Sequence, residues 1–261
     1  SDRTTRRNSV GFWVHYKTLI SLGMDHFITF QLHSDKSKTT VDPVLCDIDD
    51  IPATKLLKRY LCDQYIGSLE NLNTDVQENW MFCSVDAGGE KLAKQFASAF
   101  NTQLVIAHKQ RNYAKANTVE SINILSAIPV EGKTLWIVDD MIDTGNSLCS
   151  LIRELAKLNP REINTAIVHP VFSGPAIERI AELKNEGLLN QLVVCDTVSC
   201  EGLKETLPGI QIVSSARLSS HVIRVIACNQ QMSSLTAAFS PEEYLRKPRL
   251  FDFAVAGETE D

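Results

Sequence analysis

The chain has 261 residues, 44% of them hydrophobic, which is enough to bury one large core or two modest ones. Its formal net charge of −6 argues against a nucleic-acid coat, since a duplex binder carries a basic excess, but leaves room for nucleotides held by a few local cations. No apolar run approaches the roughly eighteen residues of a membrane helix, and the polar start Ser1-Asp-Arg-Thr-Thr-Arg-Arg7 has no signal-like apolar stretch behind it, so neither membrane nor export is expected and a cytoplasmic setting is.

Taken in chain order, short apolar runs alternate with segments of helical period. A strand is expected at 27–32, followed by an acidic, turn-like stretch at 47–50 with Pro52 behind it, which reads as a domain boundary. A second strand at 80–83 leads to a helix at 89–100, where Leu92, Phe96 and Phe100 recur four apart. Strands at 104–107 and 135–138 precede a helix at 147–158 that aligns Leu148, Leu151, Ile152, Leu155 and Leu158 on one face. Further strands are expected at 165–168, 192–195 and 211–213, with helices at 175–183 and 216–227 between and after them. Strand-then-helix repetition with nearly continuous apolar strands predicts an α/β protein whose parallel sheet is covered on both faces. The domain expectation is 1–50 as the remainder of one domain, 51–239 as a second, and 240–261 as a polar, poorly ordered tail. The seven cysteines are scattered and form no C-x-x-C pair, so reduced, buried thiols are a better reading than zinc or redox chemistry.

The most informative segment is Leu135-Trp-Ile-Val-Asp-Asp-Met-Ile-Asp-Thr-Gly-Asn-Ser147. It reads as a buried strand, paired carboxylates, a turn of hydroxyls and small residues, and the first turn of a helix. Backbone N–H groups and the positive end of the helix dipole converge at such a turn, where a phosphate is readily held. Thr144 and Ser147 add hydroxyl donors, and Gly145 with Asn146 allows the backbone to curl. Asp139 and Asp140 stand where the strand ends, the ligand side of an open α/β sheet. Carboxylates suit sugar hydroxyls or a bridging metal rather than phosphate itself. The competing reading is an acidic loop before a helix capped by Asp143 or Ser147.

This run resembles the phosphoribosyl diphosphate (PRPP) signature of the type I phosphoribosyltransferase fold. On that resemblance Asp139 and Asp140 would hold ribose hydroxyls, while Asp143, Thr144, Gly145, Asn146 and Ser147 would cradle the 5-phosphate. Four other segments are similar to the ribose-phosphate diphosphokinase family in particular. They are Thr29-Phe-Gln-Leu-His-Ser34, Ser84-Val-Asp-Ala-Gly-Gly89, Ala107-His-Lys-Gln-Arg111 and His169-Pro-Val-Phe-Ser-Gly-Pro-Ala176, and they follow the family's order. The resemblance implies a type I domain plus the C-terminal part of a similar N-terminal domain, and Mg2+-dependent transfer of a diphosphoryl group from ATP to ribose 5-phosphate. It implies that His33 and Asp86 touch the metal, that Asp2 and His33 belong to the ATP site, and that Lys109 and Arg111 close over the triphosphate as catalytic cations. It also implies self-association as dimers or hexamers, with no nucleic-acid or membrane partner. His169 reads as structural.

Three departures accompany the resemblance. The family match starts only at about Ser1-Asp2, so the adenine-sandwiching residues are absent from this sequence, and a longer chain or a partner is expected. Gln110 stands where a second basic residue is usual, and Asn146 with Ser147 replaces the commoner Gly-Thr pair. Two rivals follow: a nucleobase phosphoribosyltransferase that consumes PRPP, and a non-catalytic subunit associated with a synthetase.

Overall fold

The computed structural model describes residues 11–86, 88–110 and 121–247. They fall into two units, the first comprising the chain up to Ala53 together with 232–237, the second the remainder.

In the first unit, helix α1 (Gly11–Ser21) precedes strand β1 (His26–Phe30). Tyr16 of α1 is almost fully buried and meets Phe27 edge-on, with ring centroids 5.4 Å apart. The acidic stretch expected as a turn is instead strand β2 (Asp47–Ile51), parallel to β1 and pairing Phe27 with Ile48 and Phe30 with Ile51. Two of its three carboxylates are satisfied locally, which is why an Asp-rich segment accepts the extended form. Asp49 lies 2.9 Å from His26 Nε2, and Asp50 Oδ1 accepts the Leu32 amide at 2.9 Å.

The second unit opens with helix α2 (Thr54–Leu61) and builds a seven-stranded sheet. Its elements are β3 (Trp80–Ser84), α3 (Glu90–Phe100), β4 (Gln103–Gln110), β5 (Ser121–Ser126), β6 (Thr134–Ile142), α4 (Asn146–Ala156), β7 (Glu162–Pro170), α5 (Ala176–Asn185), β8 (Gln191–Cys195), β9 (Gln211–Val213) and α6 (Ala216–Ala227). The strand order is β5-β4-β3-β6-β7-β8-β9, parallel throughout except for β5, which runs antiparallel to β4 at one edge. The α/β class with a mainly parallel sheet is as expected. β5 was not foreseen: its Ile122 and Ile124 pack toward the core while the alternate positions Asn123 and Leu125 face solvent, a half-buried strand rather than a continuous apolar run. The core runs through the strand middles, where Met81, Leu135, Ile137 and Val194 are sealed from water together with Leu151 and Leu155 of α4.

Residues 240–247, which composition alone assigns to a polar tail, form helix α7 (Pro241–Arg246). Ser240 accepts the Glu243 amide as a side-chain cap and Pro241 occupies the first turn. The buried Tyr244 donates to Asp63 at 2.6 Å and accepts from Arg59 Nε at 3.1 Å, holding this helix against α2. All seven cysteines are free, and five of them are buried.

Candidate functional site

The winding of the sheet reverses between β3 and β6: from β3 the chain steps to β4 on one side, then crosses back to β6 on the other. Loops leaving the carboxyl ends of two such strands diverge and open a crevice. Here the crevice is a cavity of about 160 Å³ lined by Asp86 after β3, Asp139 in the last half of β6, and the whole turn from Asp143 to Ser147. One water needs about a tenth of that space.

On the β6 side, helix α4 begins at Asn146, with Gly145 as its N-cap in the left-handed conformation at φ +72°. No side chain caps it. The first main-chain bond of the turn runs from the Cys149 amide to Gly145 O, so the leading amides are left to solvent or a ligand. The capping role considered for Asp143 or Ser147 is therefore not taken up, and the turn keeps its donors for an anion.

Asp139 supplies a carboxyl to the same cavity. Burial, and then the neighbouring Asp140 and Asp86 charges, push its carboxyl from 3.8 up to about 8, although the Asp140 amide donating to Oδ1 at 2.9 Å pulls the other way. A group so perturbed in a crevice marks a place where a cation or hydroxyl donors are wanted. On the β3 side, Asp86 Oδ1 accepts the amides of Gly88 and Gly89 at 2.8 and 3.1 Å, tightening the turn ahead of α3 without capping the helix itself. A side chain at Gly89 would meet Ser84 Cβ at 3.6 Å and Asp139 Oδ1 at 3.7 Å, so glycine keeps the space beside the carboxylate open. Ser84 was not singled out from sequence. It is fully buried at the end of β3, and its hydroxyl has no hydrogen-bond partner.

Among the described residues, no group of three or more His, Cys, Asp or Glu is disposed to hold a metal alone. The donors lining the cavity are nevertheless hard oxygens, from Asp139 and Asp86. Such a partial set fits a magnesium ion that keeps oxygens of its substrate in the shell.

Six of the seven residues expected at the sugar phosphate thus line one cavity; Asp140 is not among its lining and touches it through Asp139. Asp86 shares that cavity. His33 is exposed in the turn after β1, in the first unit, whereas Asp86 belongs to the second. Lys109 lies near the end of β4, its backbone opposite Ile122, while Arg111 and Asp2 fall outside the described residues. His169 is held structurally: Thr197 gives its proton to Val168 O at 2.8 Å, so the imidazole Nδ1–H is the donor in its 2.8 Å contact with the Thr197 oxygen.

No helix among the described residues is long and apolar enough to cross a membrane. A family model described as the phosphoribosyl transferase domain matches residues 48–186. The ribose-phosphate pyrophosphokinase of Chlorobaculum tepidum is 32% identical over 217 residues, covering 83% of this chain and 60% of its own length. That of Xanthomonas campestris is 32% identical over 237 residues, covering 90% of this chain and 68% of its own. The crystal structure of phosphoribosylpyrophosphate synthetase from Mycobacterium smegmatis superposes with a TM-score of 0.70 at 25% identity, covering 85% of this chain and 65% of that one. The chain spans about 60% of the length of the curated relatives it matches first. With that match of sequence and fold, and a cavity where an uncapped helix start and a half-buried aspartate meet, the chain belongs to the ribose-phosphate pyrophosphokinase family and contains its phosphoribosyl transferase domain.

Proposed function

We propose that this protein makes PRPP and AMP from ATP and ribose 5-phosphate, supplying nucleotide biosynthesis. The observation that carries the reading is the pairing, within one cavity, of a helix start whose amides lack a side-chain cap with a half-buried Asp139 whose carboxyl is pushed upward. The first suits a 5-phosphate; the second suits ribose hydroxyls, with Asp140 beside it. The names of the relatives favour synthesis of PRPP over its consumption by a nucleobase phosphoribosyltransferase, and over a silent subunit.

In this reading Asp143, Thr144, Gly145, Asn146 and Ser147 hold the phosphate, and Asp86 and His33 hold magnesium and the nucleotide, with Asp2 also at the ATP site. The ion would neutralise charge on the polyphosphate and orient it for attack by the sugar's 1-hydroxyl. Lys109 and Arg111 are assigned to stabilising the charge that develops as AMP leaves. A cytoplasmic setting and self-association as a dimer or hexamer belong to the same proposal, the latter checked by analytical ultracentrifugation.

The test is to incubate the protein with magnesium, ATP and ribose 5-phosphate and to follow AMP and PRPP together. Their stoichiometric appearance supports synthesis. Release of pyrophosphate from PRPP only when a nucleobase is present would assign the rival transferase chemistry, and inertness in both assays the non-catalytic subunit.

A further inference from the structure

We propose that Arg179 is a positioning residue for the phosphate loop, acting within a clamp formed by the segment from Val171 to Arg179. This rests on reading the Asp139–Ser147 region as a sugar-phosphate site. The run from His169 to Ala176 stands out in the sequence yet supplies nothing to the cavity lining. Its geometry gives it a different task.

Three consecutive carbonyls of the loop are tied from this one segment. Ile142 O accepts the amides of Val171 and Phe172 at 3.0 and 3.1 Å, and Asp143 O accepts the Ser173 amide at 3.0 Å. Thr144 O accepts Nη1 of Arg179 at 2.7 Å. Behind them Gly145 packs on Ala176, whose Cα and Cβ lie 3.7 Å from the place a glycine side chain would occupy. In a trans peptide the C=O and the following N–H point in opposite directions. Carbonyls drawn back onto the clamp therefore turn the amides of Asp143, Thr144 and Gly145 the other way. An anion then meets donors already oriented, and the ordering cost of binding is met in advance by the fold.

The clamp is itself held taut. Phe172 adopts φ +48°, a left-handed conformation that a bulky residue avoids, and its ring packs against the core. The ties to Ile142 and Asp143 come from backbone amides, which side-chain substitution leaves in place. The Thr144 tie comes from a side chain and is charge-assisted, so it can be removed alone. Arg179 is only partly buried, and its loss leaves the core intact.

The proposal predicts a loss of affinity without a matching loss of stability. Titration calorimetry with ribose 5-phosphate is compared for the wild type, Arg179→Met, which keeps the apolar stem without a donor, and Arg179→Lys, which keeps one donor. Affinity is expected to fall at least tenfold in the methionine variant and to stay within about threefold of wild type in the lysine variant, with thermal midpoints of all three within a few degrees. Undiminished affinity in Arg179→Met overturns the proposal, as does equal weakening by lysine and methionine. A wild-type protein that ignores ribose 5-phosphate at millimolar concentration sinks the site reading and the tie together. Tight wild-type binding with an indifferent methionine variant removes the tie alone.

Discussion

Asp139→Asn puts the electrostatics of the cavity to a direct test. The folded carboxyl ionises near pH 8 instead of its ordinary 3.8. The folded chain therefore retains a proton there over a range in which the unfolded chain has released it, and stability falls as pH rises from about 4 to about 8. At pH 7 the window crossed is about three units, which at about 1.4 kcal/mol per unit sets a ceiling of about 4 kcal/mol. The side chain keeps some access to water, so we expect about 2 kcal/mol in practice. Asparagine retains an oxygen for the Asp140 amide, now 2.9 Å away, and abolishes the ionisation. Urea unfolding from pH 5 to 8, followed by tryptophan fluorescence in a Trp13→Phe background, reports on the second unit, since the remaining Trp80 and Trp136 are buried within it. The variant should be the more stable protein by about 2 kcal/mol at pH 7, with the advantage vanishing toward pH 4, while its affinity for ribose 5-phosphate drops. Parallel stability profiles for the two proteins across pH 5–8 would refute the assignment of a raised pKa to Asp139.

Two further substitutions probe the site and its frame. Gly89→Ala places a methyl 3.6–3.7 Å from Ser84 and Asp139 at a position with ordinary helical-region backbone, so stability should change by less than about 0.5 kcal/mol while substrate affinity falls several-fold, as measured by chemical denaturation and calorimetry. A variant that binds as tightly as wild type would show that the space beside Asp139 is not used. Tyr244→Phe removes the hydroxyl shared by Asp63 and Arg59 and should cost about 1–2 kcal/mol in urea unfolding, with a neutral result showing that α7 is held by packing alone.

The site was legible where its signal is local. Strand, acid pair and turn follow one another within 135–147; in the structure β6 takes in both acids and runs on to Ile142 before the turn and the uncapped start of α4. What stayed hidden depends on distant partners. Asp47 to Asp50 look like a turn until His26 and the Leu32 amide are seen to satisfy Asp49 and Asp50, which lets β2 extend. The tie from Arg179 to Thr144 spans 35 positions, and no periodicity announces it. The segment 54–79 escaped because the face that α2 buries does not carry on through it: the helical register changes at two wide turns and at Gly67, φ +71°. Ser84 entered only as the first residue of the Ser84–Gly89 run, and its burial without a partner had no sequence signal, since a serine at a strand end reads as an ordinary small residue.

The reversal of winding between β3 and β6 has an evolutionary side. The cavity arises from diverging loops rather than from gaps in the packed interior, and Phe82, Trp136 and Ile137 remain sealed beneath it. Mutational drift in the loops after those strands can thus alter which substrate is accepted while the scaffold's folding goes untouched, and the two properties become separately selectable.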